Sequence, residues 1–139
     1  MARSGRMSRI LIVDDASNAR ESLAKLLRME GYETSIAGCG TDALTRLKET
    51  KPDMILLDHM MPEVDGLTFL AGIRRFPKWK HLPVIMFTGV KDKSCHSRAQ
   101  GLEVKEFLVK GEYDPKELIK LLDKHLEGSG GRAMASAGA

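Results

Sequence analysis

Cysteine is scarce: the 139-residue chain holds only Cys39 and Cys95. They form no Cys-x-x-Cys pair and no histidine cluster accompanies them, which excludes a zinc-ligand pattern. They fit a reducing cytosol as free thiols. Charge of one sign is scarce too. The net charge is +3, and Arg3, Arg6, Arg9 and Arg132 near the ends supply much of it. That excess is too small and too scattered for a nucleic-acid face. Long hydrophobic runs are missing, since none approaches the ~20 residues of a membrane span. Arginines stand near the N-terminus, but no apolar stretch precedes Ile10, so a secretory signal is not predicted. There is no internal repeat. These absences predict a soluble, cytoplasmic protein with no direct nucleic-acid partner and no membrane association.

What is present is ordinary for a globular chain: 42% hydrophobic and 29% charged residues. The length suits one domain, able to bury roughly two-thirds of its unfolded surface. Five apolar runs read as buried strands, and four of them end in residues suited to handling a phosphoryl group. Asp14 and Asp15 follow Ile10–Val13, and Asp58 follows Met54–Leu57. Thr88 follows Val84–Phe87, and Lys110 follows Phe107–Val109.

Helical patterns separate these runs. Ala19, Leu23, Leu26 and Leu27 recur at helical spacing, with Gly31 as a C-terminal stop. Tyr32, Thr34 and Ile36 alternate with polar residues, as in a strand. Ala43, Leu44 and Leu47 mark a second helix that ends before Pro52, and Leu67, Leu70 and Ile73 a third. Pro77 and Pro83 bracket a loop. Residues 92–100 form the weakest helical pattern, being poor in apolar residues. Asp114, Pro115 and Glu117 spell a capping box, ahead of Leu118, Leu121, Leu122 and His125 on one face. The chain from 128 to 139 is rich in Gly, Ser and Ala. The predicted domain is 8–126, with flexible tails at 1–7 and 127–139.

Strands alternating with helices predict a parallel sheet covered on both faces, with right-handed crossovers. In such a sheet, ligands bind outside the carboxyl ends of the strands, at the switch point. Asp14, Asp15, Asp58, Thr88 and Lys110 all fall there. Three carboxylates together repel one another. A hard cation offsets them; magnesium takes few protein oxygens and keeps waters that a phosphoryl oxygen can replace. Lys110 and the Thr88 hydroxyl can meet the other equatorial oxygens. Asp58, on a central strand and followed at once by a turn, is the candidate nucleophile and can form an acyl phosphate.

The ordered set resembles a response-regulator receiver domain of two-component signalling. The matching residues are Asp14-Asp15, Asp58-His59-Met60-Met61-Pro62-Glu63-Val64-Asp65-Gly66, Thr88-Gly89 and Lys110, across about residues 8–126. The resemblance implies a doubly wound, five-stranded, flavodoxin-like (βα)5 α/β fold. It implies that Asp58 takes a phosphoryl group from a phosphohistidine on a sensor kinase or a histidine phosphotransfer protein. It implies magnesium held by Asp15, Asp58 and the Met60 backbone carbonyl, with Asp14 acting largely through water. It implies that Lys110 contacts the phosphoryl group and Thr88 moves to bind it. Phe107 matches the family's switch aromatic; it would turn inward and reshape the face of the fourth helix, fifth strand and fifth helix for a downstream partner. The chain would be a phospho-accepting switch that catalyses only its own phosphorylation and dephosphorylation.

Three positions depart from the family. Gly111 stands where the family usually has a proline after the lysine, with a cis bond; before a non-proline residue such a bond costs about 2.5–4 kcal/mol. Met60 and Val90 are apolar at positions that flank the phosphoryl group, and are expected to hinder the hydrolytic water. Taken singly, each site residue also has a plain reading: Asp14 and Asp15 as acids favoured by a helix dipole, Lys110 as a solvated lysine, Phe107 as core and His59 as a loop residue. Two other functions compete. An aspartate-nucleophile phosphatase wants Asp-x-Asp after its first strand, where this chain has Asp14-Asp15-Ala16-Ser17. A phosphate-independent interaction domain would keep the fold without the chemistry.

Overall fold

A computed structural model describes residues 8–89 and 93–127. The order is β1 (Arg9–Val13), α1 (Ser17–Met29), β2 (Glu33–Ala37), α2 (Gly40–Thr50), β3 (Met54–Asp58), α3 (Gly66–Ile73), a 3₁₀ turn (Pro77–Trp79), β4 (Val84–Thr88), α4 (Lys93–Arg98), β5 (Val104–Val109) and α5 (Pro115–Glu127). The strands form one parallel sheet in the order β2-β1-β3-β4-β5. The chain builds outward from β1 to β2, then back across β1 to β3, so the switch point lies between β1 and β3. Val13 pairs with Leu57 there, which sets the next residues, Asp14 and Asp58, side by side.

Alternate residues of the central strands feed two cores. Leu11, Val13, Ile55, Leu57, Val84 and Met86 pack with Ala43 and Leu47 of α2 and with Leu67, Leu70 and Ile73 of α3. Ile10, Ile12, Met54, Leu56, Ile85 and Phe87 pack with Ala24 and Leu27 of α1 and with Leu118, Leu122 and Leu126 of α5. Strands buried on both faces need no polar alternation, which is why they read as continuous apolar runs.

The structure redraws several boundaries. β5 begins at Val104, three residues before the Phe107–Val109 run. As an edge strand it can carry Lys105 and Glu106, and the Glu106 carboxylate pairs with His125 Nε2 of α5 at 2.9 Å. α4 covers Lys93–Arg98, so it stops two residues before the expected end at 100; position 92 lies outside the described residues. The segment between the prolines is not a plain loop: its 3₁₀ turn buries Trp79. α5 opens as expected: the Lys116 N–H donates to Asp114 Oδ1 (3.0 Å) and the Asp114 N–H to Glu117 Oε1 (3.4 Å). It runs to Glu127, one residue beyond the predicted end of the domain. The rest of the expected tails, 1–7 and 128–139, lies outside the described residues, as does Val90. Cys39 and Cys95 form no disulfide among the described residues. No helix among the described residues is long and apolar enough to cross a membrane.

Arg74 organises the far end of the sheet. Its guanidinium donates to the carbonyls of Leu102 (2.7 Å), Trp79 (2.8 Å), Leu82 (2.8 Å) and Glu103 (3.1 Å). It thereby ties the loop before β4 to the loop before β5. Arg74→Met strands several of these acceptors and is expected to cost about 2 kcal/mol, read as a lower Tm. An unchanged Tm would show that water replaces the clamp without loss.

Candidate functional site

Asp14, at the end of β1, is 6% exposed, and Asp58, the last residue of β3, is 2% exposed. Asp15 is exposed beside them. One carboxylate oxygen from each of the three lies within 4.8 Å of the others. Lys110 reaches in from the end of β5, its Nζ 2.9 Å from Asp14 Oδ2 and 3.3 Å from Asp58 Oδ2. Thr88, ending β4, is buried, and its carbonyl accepts the Lys110 N–H at 2.8 Å. Residues from four strands therefore meet at one sheet edge.

The electrostatics follow from this crowding. Burial, then the Asp14 charge, pushes the Asp58 carboxyl from 3.8 to about 6, with Lys110 and the Met60 N–H pulling the other way. Burial works against the Lys110 ammonium, yet its hydrogen bond to Asp14 and the charges of Asp58 and Asp14 outweigh it and raise its pKa. A single ammonium thus shares two buried carboxylates, with a third adjacent. This oxygen-only, negatively unbalanced donor set fits a hard divalent cation. Oxygen ligands at about 2.0–2.1 Å from one magnesium stand roughly 3–4 Å apart, within reach of this cluster.

The turn after Asp58 is held from several sides. The His59 N–H donates to the Phe87 carbonyl (2.9 Å), the Met60 N–H to Asp58 Oδ1 (3.2 Å) and the Gly66 N–H to the His59 carbonyl (2.9 Å). Asp65 caps α3 by accepting the Thr68 N–H at 2.8 Å. Met60 turns its side chain to solvent, 65% exposed. The Lys110–Gly111 bond is trans, and Gly111 has φ +80°, so glycine serves here as a left-handed residue.

Two supporting residues were not singled out from the sequence. A Cβ on Gly66 would lie 2.6 Å from the Asp58 carbonyl oxygen and 2.9 Å from His59 Cα. Only glycine lets α3 start this close to the acceptor; the Asp-Gly pair in the turn motif was the available signal. Gly66→Ala is expected to cost about 2 kcal/mol by forcing the two backbones apart, checked by chemical denaturation. Stability equal to wild type would contradict the close approach. Arg20, on α1, donates from Nη1 to the Asp14 carbonyl at 2.8 Å. It is half-buried, and nothing in the sequence distinguishes it from the other helix arginines.

Phe107 does not join the pocket. It is partly buried on the α4 side of β5, its ring 4.2 Å from that of His96.

A family model described as a response regulator receiver domain matches residues 10–123. The DNA-binding response regulator MtrA of Mycobacterium tuberculosis is 36% identical over 113 residues, covering 80% of this chain and 47% of that protein. Response regulator PleD of Caulobacter vibrioides is 39% identical over 105 residues, covering 74% of this chain and 23% of that protein. The chain therefore spans less than half the length of these relatives. Among solved structures, the Vibrio cholerae chemotaxis protein CheY4 superposes with a TM-score of 0.80 at 28% identity, covering 86% of this chain and 98% of that one. A CheY-like receiver domain protein from Methanospirillum hungatei gives 0.82 at 23% identity, covering 89% and 97%, a likeness of fold alone.

Proposed function

The chain belongs to the response-regulator receiver family, and from that premise we propose that it is a phosphorylation-dependent switch whose acceptor is Asp58. The observation that carries this is Lys110 Nζ held between Asp14 and Asp58, at the one edge where Thr88 also ends its strand. The Asp58 carboxylate attacks the phosphorus of a partner's phosphohistidine. The phosphorus–nitrogen bond breaks, its electron pair stays on the imidazole, and an aspartyl phosphate remains. Asp15, Asp58 and the Met60 carbonyl would hold magnesium, with Asp14 acting through water; the ion would neutralise a phosphoryl oxygen. Lys110 holds a second oxygen and the Thr88 hydroxyl donates to a third.

Thr88 and Phe107 then carry the signal outward. Drawing Thr88 toward the phosphoryl group frees space beneath α4, and Phe107 moves in from its stack on His96. The α4-β5-α5 surface changes for a downstream protein. The unit spans 8–126, works in the cytoplasm, and exchanges phosphoryl groups with a sensor kinase or a histidine phosphotransfer protein. It turns over no other substrate.

Incubation with a small phosphodonor and magnesium tests this reading. It requires the mass increment of one phosphoryl group, mapped to Asp58. Absence of label would instead favour a phosphate-independent interaction domain, and steady release of phosphate from monoesters a phosphatase. Met60 and Val90 supply a further expectation. Both match family positions that flank the phosphoryl group, where apolar side chains are expected to hinder water, so Met60→Asn with Val90→Glu speeds loss of label about tenfold, or ~1.4 kcal/mol. Equal decay rates would reject the shielding.

A further inference from the structure

The three site carboxylates are not held alike. Asp14 Oδ1 accepts the Ala16 N–H at 2.9 Å, and its Oδ2 meets Lys110 Nζ at 2.9 Å. Asp58 Oδ1 accepts the Met60 N–H, and its Oδ2 meets the same ammonium. The exposed Asp15 carboxylate has no hydrogen-bond or ion-pair partner among the described residues. Its direction is set by its backbone alone.

Arg20 holds that backbone. It stands at the end of the first turn of α1, and its Nη1 donates at 2.8 Å to the carbonyl of Asp14, which belongs to the peptide joining Asp14 to Asp15. The guanidinium fills a slot between the ends of β1 and β2. The Asp14 N–H donates to the Ala37 carbonyl at 3.0 Å, which brings Gly38 alongside. A Cβ on Gly38 would stand 2.9 Å from Arg20 Nη1, the nitrogen that donates. Arg20 Nε is buried there without a partner. A buried donor left unpaired is destabilising, and a helix arginine avoids this by extending its head into water. Packing alone does not account for a guanidinium kept in such a slot.

Resting on the reading of the acidic cluster as a cation site, we propose that Arg20 is a positioning residue for it: by fixing the Asp14–Asp15 peptide, Arg20 aims the Asp15 carboxylate at the space shared with Asp14 and Asp58. Groups that orient a metal ligand through a hydrogen bond typically set affinity by about 10–100-fold. The charge of Arg20 acts in the opposite sense, since a guanidinium near a cation site repels the cation. Removing Arg20 therefore separates the two roles by sign. Loss of charge alone tightens cation binding, and loss of positioning weakens it.

Magnesium alone, without phosphodonor, is titrated into the full 139-residue chain, and the Kd is read from backbone amide shifts by NMR. Arg20→Met is expected to raise that Kd about tenfold. Gly38→Ala reaches the same contact while keeping the arginine. Gly38 lies outside the left-handed region, so alanine suits its backbone, and the atom displaced is the flexible end of Arg20. This variant should weaken magnesium several-fold. In the double variant the two losses should not add, because Gly38 acts only through Arg20. The magnesium concentration for half-maximal labelling of Asp58 should rise by the same factors. A Kd that holds or falls in Arg20→Met overturns the positioning role, even where Tm drops. So does an unchanged Kd in Gly38→Ala, or losses that add in full. A wild-type chain that binds no magnesium overturns the cation-site reading itself, and the role of Arg20 with it.

Discussion

Asp58→Asn abolishes labelling by a small phosphodonor with magnesium, and in the metal-free protein at neutral pH it raises stability by about 2 kcal/mol. The first effect follows because an amide oxygen does not form the acyl phosphate. The second follows from the cost of keeping a buried carboxylate charged beside Asp14. Carrying that carboxyl from 3.8 to about 6 corresponds to roughly 3 kcal/mol. Part of this is given back in the variant, because Lys110 and the Met60 N–H lose a charged acceptor. The sign is opposite to that of a salt-bridged carboxylate. Folded Asp58 binds its proton more tightly than unfolded Asp58, so its contribution falls as pH rises from about 4 to about 6 and stays lost above that. Thermal melts in a chelator should therefore separate the two proteins by several degrees at pH 7 and bring them together near pH 4. Labelling of the Asn variant, or melts that coincide at pH 7, would remove Asp58 from its assigned place.

Lys110→Met is expected to slow labelling about a hundredfold, comparable to removing one charged donor from a developing anion. The lysine acts twice. It is placed to take one phosphoryl oxygen, and before reaction it steadies both buried carboxylates, at 2.9 and 3.3 Å. Without it the Asp58 carboxyl is pushed up further, so the acid limb of the labelling rate moves to higher pH. That shift separates a lysine acting at the site from one that only braces the fold, which would lower Tm and leave the pH profile in place. A wild-type rate in the variant would contradict the assignment.

Much of this was legible in the chain because of how a parallel sheet is built. Strands covered on both faces become unbroken apolar runs, and the residue just past each run falls at a predictable edge. Asp14, Asp58, Thr88 and Lys110 could be named for that reason. β5 was only half legible, since an edge strand tolerates Lys105 and Glu106, and its pattern begins three residues late. Gly66 was visible only as part of the Asp-Gly turn motif, and Arg20 and Arg74 were illegible as contributors. A glycine required by a 2.6 Å approach, or an arginine donating to backbone carbonyls, leaves no periodic trace.

The sequence by itself determined the fold class, the order of elements and the chemical character of the strand ends, because period, capping and residue type are local properties. Only the tertiary structure decided that Lys110 spans Asp14 and Asp58, that burial and Asp14 push the Asp58 carboxyl up to about 6, and that Phe107 packs on His96 outside the pocket. Those depend on distances between residues remote in the chain, which are set by sheet register and helix packing.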